Sequence, residues 1–197
     1  MKKFITVLLA LTLMFTTLSM VSCDSGKDKD PEASQKQDTS IDKPSLEKGI
    51  SAKGLYGAIL SAKIDEDRDE TIYDIIPALF YLEDEQVENE KLYGIDISIL
   101  YNYKIGYAVM DTLSDEIAIV KVKDEKDIDF IKKQFKKRAD NIASYFDDPH
   151  YRNDIIQNEK AVNALIVSKD NYVIMIICEH RDRILEVFNS TIESENR

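Results

Sequence analysis

What this sequence lacks narrows it first. It has no tryptophan, and only two histidines and two cysteines among 197 residues. Zinc sites need three or four nitrogen or sulfur ligands, and His150, His180, Cys178 and the nearby acids match no zinc spacing. Two cysteines build no disulfide framework. The six glycines form no phosphate-cradling loop, and no serine elbow appears. Positive charge is also short: 26 Lys and Arg stand against 37 Asp and Glu, for a net charge of −11. A surplus of that size repels nucleic acid and anionic headgroups, and keeps a domain soluble.

Long apolar runs are missing too, except at the start. Lys2 and Lys3 precede Phe4–Val21, which carries no charge. A positive end followed by an apolar stretch is the pattern of an export signal. Met20-Val21-Ser22-Cys23 resembles the lipobox of bacterial lipoproteins, with Met20 standing where leucine is usual. The resemblance implies a signal peptide over residues 1–22, lipid transfer to the Cys23 thiol, and cleavage after the small Ser22. An uncleaved anchor helix is the alternative. Loss of residues 1–22 removes two lysines and no acids, so the remainder carries −13. One acyl chain binds a membrane only reversibly, so two or three chains on Cys23 would be a stable anchor.

Residues 23–45 read as a lipidated, disordered tether. Residues 24–44 are Asp, Ser, Lys, Gln, Glu and Thr with Pro31 and Pro44, and only Ala33 and Ile41 are apolar. Such a stretch buries too little to order itself. As a coil it spans on the order of 25 Å.

Residues 46–197 read as a single α+β domain. Leu55, Ala58, Ile59 and Ala62 recur at helical spacing, and Ile72–Ile76 is an apolar run stopped by Pro77. Ala78–Tyr81 is a further apolar stretch, and Gln86–Tyr93 a short helix closed by Gly94. Tyr103–Met110 alternates as a strand, and Ile117–Val122 follows after a turn at Ser114-Asp115. Asp124 then caps a helix whose inner face is Ile128, Ile131, Phe135, Ile142 and Tyr145. After a polar stretch, Asp147–Lys160, come strands Val162–Val167 and Tyr172–Cys178 and a helix over Asp182–Ile192. The order from Tyr103 is strand, strand, helix, twice. This predicts N-terminal helices followed by two ββα units, forming a four-stranded, mainly antiparallel sheet packed by helices. The last strand is apolar on both faces, which predicts a central, covered position.

Certain segments carry a resemblance: Leu92-Tyr93-Gly94-Ile95-Asp96, then Asp115–Asp124, Lys136-Lys137-Arg138 and Asp170-Asn171-Tyr172-Val173. Over roughly residues 50–192 the chain is similar to a family of small lipoproteins from Gram-positive anaerobes with an uncharacterised C-terminal domain. The resemblance implies export and an α+β fold, and it transfers no catalytic residue.

Candidate chemistry is sparse. Asp65, Asp67 and Asp69 alternate as in a calcium loop, but Glu70 stands where the turn needs glycine and Ile76 where the bidentate glutamate belongs. The stretch is expected to be a solvated acidic linker, with no metal. Cys178 and His180 share a strand face, yet Cys178 ends the apolar run Ile174–Ile177, so a buried inert thiol is expected rather than a nucleophile. Ten tyrosines are present, and Tyr93, Tyr101, Tyr103 and Tyr107 cluster around the first strand as a candidate binding surface.

The expectation is therefore a lipoprotein on the extracytoplasmic face of the cell membrane, held through Cys23. Its domain would be a noncatalytic envelope module, without cofactor, for a protein, peptide or wall component. The alternatives are an enzyme or enzyme accessory of the envelope, and a structural surface lipoprotein.

Overall fold

The apolar runs assemble one antiparallel sheet. The computed structural model describes residues 48–150 and 153–195; the signal, the tether and Cys23 lie outside them. The strands are β1 (Leu79–Tyr81), β2 (Leu100–Ala108), β3 (Glu116–Val122), β4 (Leu165–Lys169) and β5 (Tyr172–Ile177). Their order is β1-β2-β3-β5-β4, with every neighbouring pair antiparallel. The expected count of four strands is thus corrected to five. The Ala78–Tyr81 stretch supplies the extra one, a three-residue edge strand on β2.

The helices are α1 (Ala52–Ser61), α2 (Ile72–Ile75), α3 (Asp84–Glu88), α4 (Ile128–Asp147), α5 (Ile155–Val162) and α6 (Arg181–Glu195). Ser51 caps α1 by accepting the Gly54 N–H at 3.0 Å. Helix α2 opens on a Thr71/Asp74 capping box and stops before Pro77. Asp124 caps a 3-10 turn over Glu125–Asp127 that leads into α4. The α4 inner face ends on Phe146 rather than Tyr145, because Phe146 lies four residues after Ile142 and continues the stripe. Helix α3 ends at Glu88, earlier than expected. A turn follows, in which Gly94 (φ +61°) donates its N–H to Asn89 O at 3.0 Å.

Strands β3 and β5 are buried along their whole length, and β5 is interior to the sheet as its composition predicts. Ala118, Val120, Val173 and Met175 pack with Ile131 and Phe135 of α4 on one face. Ile117, Ile119, Ile174 and Ile176 pack with Leu55 and Ile59 of α1 and Ile184 and Phe188 of α6 on the other. Two ββα units related by a rotation normal to the sheet would place α4 and α6 on the same face. They lie on opposite faces, so the repeat holds in element order and not in space. The central strands are apolar at successive positions, and both faces need cover. Gly106 lets α1 sit close on β2, since a Cβ there would stand 2.4 Å from the Tyr56 hydroxyl oxygen.

Candidate functional site

A cleft opens where the end of the β2–β3 hairpin meets the C-terminal half of α4. Its volume is about 330 Å³, and Tyr107, Met110, Ser114, Arg138, Ile142 and Tyr145 are among its lining residues. At its floor is Glu116, the first residue of β3 and almost wholly buried. It shares a strand face with Ala118 and Val120, so its carboxylate is directed toward α4. Arg138 clamps it with two bonds, Nε to Oε1 at 3.0 Å and Nη2 to Oε2 at 2.7 Å. The fully buried Tyr93 donates its hydroxyl to Glu116 Oε1. Burial first, and then the Glu116 charge, hold the Tyr93 phenol well above the ordinary tyrosine range, so it keeps its proton and remains a donor. The Arg138 guanidinium also lies 5.8 Å from the Tyr93 ring.

Helix α5 braces this floor. Gln157 Oε1 accepts both the Ser114 N–H (2.9 Å) and the Ser114 hydroxyl (3.0 Å). Lys160 donates to Asp115 Oδ2 at 2.6 Å. Asn158 donates to Ala143 O at 2.8 Å, tying α5 to α4. The rim above is apolar and exposed: Met110 is 58% accessible and Tyr145 39%. The floor therefore carries charges that are already matched, beneath a wall that water covers. Such a site holds a ligand by shape and apolar contact, with few polar groups fixing orientation.

The four tyrosines do not form one surface. Tyr107 is half-buried and lines the cleft. Tyr93 lies beneath the floor and offers no surface. Tyr103 is half-buried and donates to Asp84 of α3. Tyr101 is half-buried near Lys121, whose amine is 6.0 Å from its ring.

Glu116 and Arg138 were not singled out from the sequence, although a signal was there. Glu116 has the parity of Ala118, Val120 and Val122, and Arg138 falls on the α4 stripe with Ile131, Phe135 and Ile142. Two opposite charges at inward positions imply a buried pair.

The acidic stretch forms a loop closed by a bridge between Lys63 and Thr71. Lys63 pairs with Asp69 at 3.0 Å, and Asp65 accepts the Asp67 N–H at 3.3 Å. Among the described residues no cluster of three or more His, Cys, Asp or Glu is placed to hold a metal. Cys178 is buried against the α1/α6 face, with Tyr172, Ile174 and Ile176. His150 is exposed and His180 half-buried at the start of α6.

Residues 82–178 match the model of a family described as a domain of unknown function (DUF4358). The match is narrower than residues 50–192, and it contains every residue that lines the cleft. Comparison with curated proteins gives no match, and comparison with solved structures gives none either.

Proposed function

We propose that this chain is a lipid-anchored module of the extracytoplasmic face, held through Cys23, whose domain binds an envelope partner in the cleft over Glu116 and Arg138. The observation that carries the binding half is the cleft itself: a matched, buried charge group under an exposed apolar rim, wholly within the family segment. The anchoring half is supported by Met20-Val21-Ser22-Cys23, which resembles a lipobox. Among the described residues no helix is long and apolar enough to cross a membrane.

A carboxylate acting as general acid or base must be free to move a proton. Here Asp115 is held by Lys160, and Glu116 by Arg138 and Tyr93. These two groups therefore shape the cleft rather than transfer protons in it.

Two measurements test the proposal. Cys23→Ser should abolish the lipid-modified, processed mass and release the protein from membranes; unchanged retention at the normal mass removes the anchor. A photoreactive residue at Met110 or Tyr145 should cross-link an envelope component in cells, while one at the exposed Phe130 should not. Equal yields at all three positions remove the cleft.

A further inference from the structure

We infer that the cleft receives an uncharged peptide unit, an amide beside a bulky apolar side chain; this rests on the cleft being the binding surface. The charges around it select against an ion. Lys160 holds Asp115, Arg138 holds Glu116, and Asp111 at the mouth has an interaction of its own. The end of α4 is satisfied as well. Ala143 O accepts from Asn158 Nδ2 at 2.8 Å, Phe146 O from the Asp154 N–H at 2.8 Å, and Asp148 O from the Asn153 N–H at 3.2 Å. A carboxylate entering here would stand near Glu116, and a cation near Arg138, in each case like charge against like.

What stays unspent is a set of hydrogen-bonding groups whose charge is already offset. Glu116 engages Arg138 along one edge, through Nε and Nη2, and Tyr93 joins at Oε1 on the Nε side. A guanidinium carries five N–H donors in a planar fork, so the outer edge, Nη1 and the second Nη2 proton, can still donate. Nη1 bonds to no described residue, and the Arg138 side chain is 18% accessible in the cleft wall. With Glu116 offsetting its charge, that edge is matched by a neutral carbonyl oxygen. Tyr107 and Asn141 also line the cleft, and their polar side-chain atoms bond to no described residue. Each can accept an N–H, which an amide supplies and an ester does not. The apolar half follows from the walls. Arg138, Asn141, Ile142 and Tyr145 fall at i, i+3, i+4 and i+7 on one face of α4, and exposed Met110 stands across from them on the hairpin. The volume, about 330 Å³, is at the small end of ligand pockets (~300–1,000 Å³), which suits one side chain with its amide rather than the face of a folded protein.

The test titrates four small probes into the full chain in uncharged detergent, with methionine methyl and arginine guanidinium signals read by NMR. N-acetyl-leucine N-methylamide is the neutral peptide unit. N-acetyl-leucine carries a carboxylate, leucine N-methylamide an ammonium, and N-acetyl-glycine N-methylamide lacks the apolar side chain. The neutral leucine unit should shift the Met110 methyl and the Arg138 guanidinium together, and bind about five-fold more tightly than any other probe. Its affinity should stay within about two-fold as salt shortens the screening length, since no net charge is recognised. Met110→Ser should weaken it about five-fold, and Tyr107→Phe, which removes only the hydroxyl, about three-fold. If the Met110 methyl moves while the Arg138 guanidinium does not, the carbonyl assignment is overturned and the cleft stands. If a charged probe binds as tightly as the neutral one, the selection of an uncharged ligand is overturned and the cleft again stands; equal binding of the glycine probe overturns the apolar half. If neither signal moves with any probe, the peptide inference is overturned, while cross-linking from Met110 and Tyr145 reports separately on the cleft.

Discussion

The two ends of β3 each bury a charged side chain, and they use it differently. At the far end Lys121 is 1% exposed. Its amine donates to Lys48 O and lies 5.0 Å from the Tyr172 ring. Tyr172 donates its hydroxyl to Ile50 O at 2.5 Å, and Asn102 Oδ1 accepts the Ala52 N–H at 2.6 Å. Gly49, between these contacts, takes φ +93°, and a Cβ there would lie 3.4 Å from the Tyr172 hydroxyl. Three sheet side chains thus clamp residues 48–52 by their backbone. At the near end Glu116 is bonded to side chains, and its partner Arg138 stays 18% accessible in the wall of a cleft. A clamp made to backbone closes a fold. A charge group left at the foot of an opening fixes the shape and polarity of the cleft floor. The clamp also depends on residues outside 82–178, whereas the cleft lies inside them. The segment that matches the family model contains the candidate cleft, and the flanking chain completes the core.

The largest expected effect tests that division. A chain cut to residues 82–178 loses α1, β1 and α6, which uncovers Ile117, Ile119, Ile174 and Ile176. Burying one such side chain contributes about 1.5–3 kcal/mol, so four approach the ~5–15 kcal/mol of a whole domain. The fragment should show no cooperative unfolding transition by circular dichroism, although it contains the complete cleft lining. A sharp melt from it would mean that the flanks are dispensable.

Next in size is Arg138→Met. It leaves Glu116 buried without its cation, which costs about 3–5 kcal/mol for a buried pair. Urea denaturation of the full chain should show the loss, and adding Glu116→Gln should restore much of it. Equal destabilisation by single and double variants would mean that the two groups are not coupled.

Much of the fold was legible because its residues obey one period at a time. The β3 and β5 runs are buried throughout, and the stripes bury Leu55 and Ile59 of α1, Ile131, Phe135 and Ile142 of α4, and Ile184, Phe188 and Ile192 of α6, while Tyr145 turns outward. Helix α5 was hidden, and read as a polar stretch, because its pattern is inverted. Its buried positions are Gln157 and Ala161, while Ile155 and Ile156 are each 70% exposed. Gln157 is inward because Ser114 needs its carbonyl, a demand created 43 residues away. Strand β1 escaped because three residues cannot establish a period. The site was legible only in part. Tyr107 was named, but the Glu116–Arg138 pair links positions 22 apart through tertiary packing.

At the clamp end a smaller effect is expected. Lys121→Met keeps most of the side-chain volume and leaves the Lys48 carbonyl without its donor. An unmade bond of this kind costs about 1–3 kcal/mol. Proteolysis near residues 48–52 should accelerate, while any ligand affinity at the cleft should stay within two-fold of the parent, about 0.4 kcal/mol at RT ≈ 0.59 kcal/mol. A large loss of binding would show that the two ends of β3 are coupled rather than independent.

The smallest effect concerns Cys178, just past the end of β5 and 4% exposed. Its surroundings are Tyr172, Ile174 and Ile176 on the α1/α6 face, so its sulfur serves packing. Burial pushes the thiol up to about 12 from an ordinary 9.0, with the Asp115 charge adding to the rise and the His180 backbone, Lys160 and Arg181 opposing it. Protonated and covered, it should resist iodoacetamide in the native protein near neutral pH, with Cys23 lipidated or replaced by serine, and react once urea unfolds the chain. Cys178→Ala should cost about 1 kcal/mol, as small core truncations do. The pH dependence has a definite sign. Above pH 9 the unfolded chain loses the thiol proton while the folded chain keeps it, so the contribution to stability is full below pH 9 and falls as pH rises toward about 12. Cys178→Ala should therefore lose less stability than the parent over that window, measured by urea midpoints from pH 8 upward. Rapid labelling of the native protein, or an alkaline slope unchanged by the substitution, would place the thiol in contact with water and restore it as a candidate nucleophile.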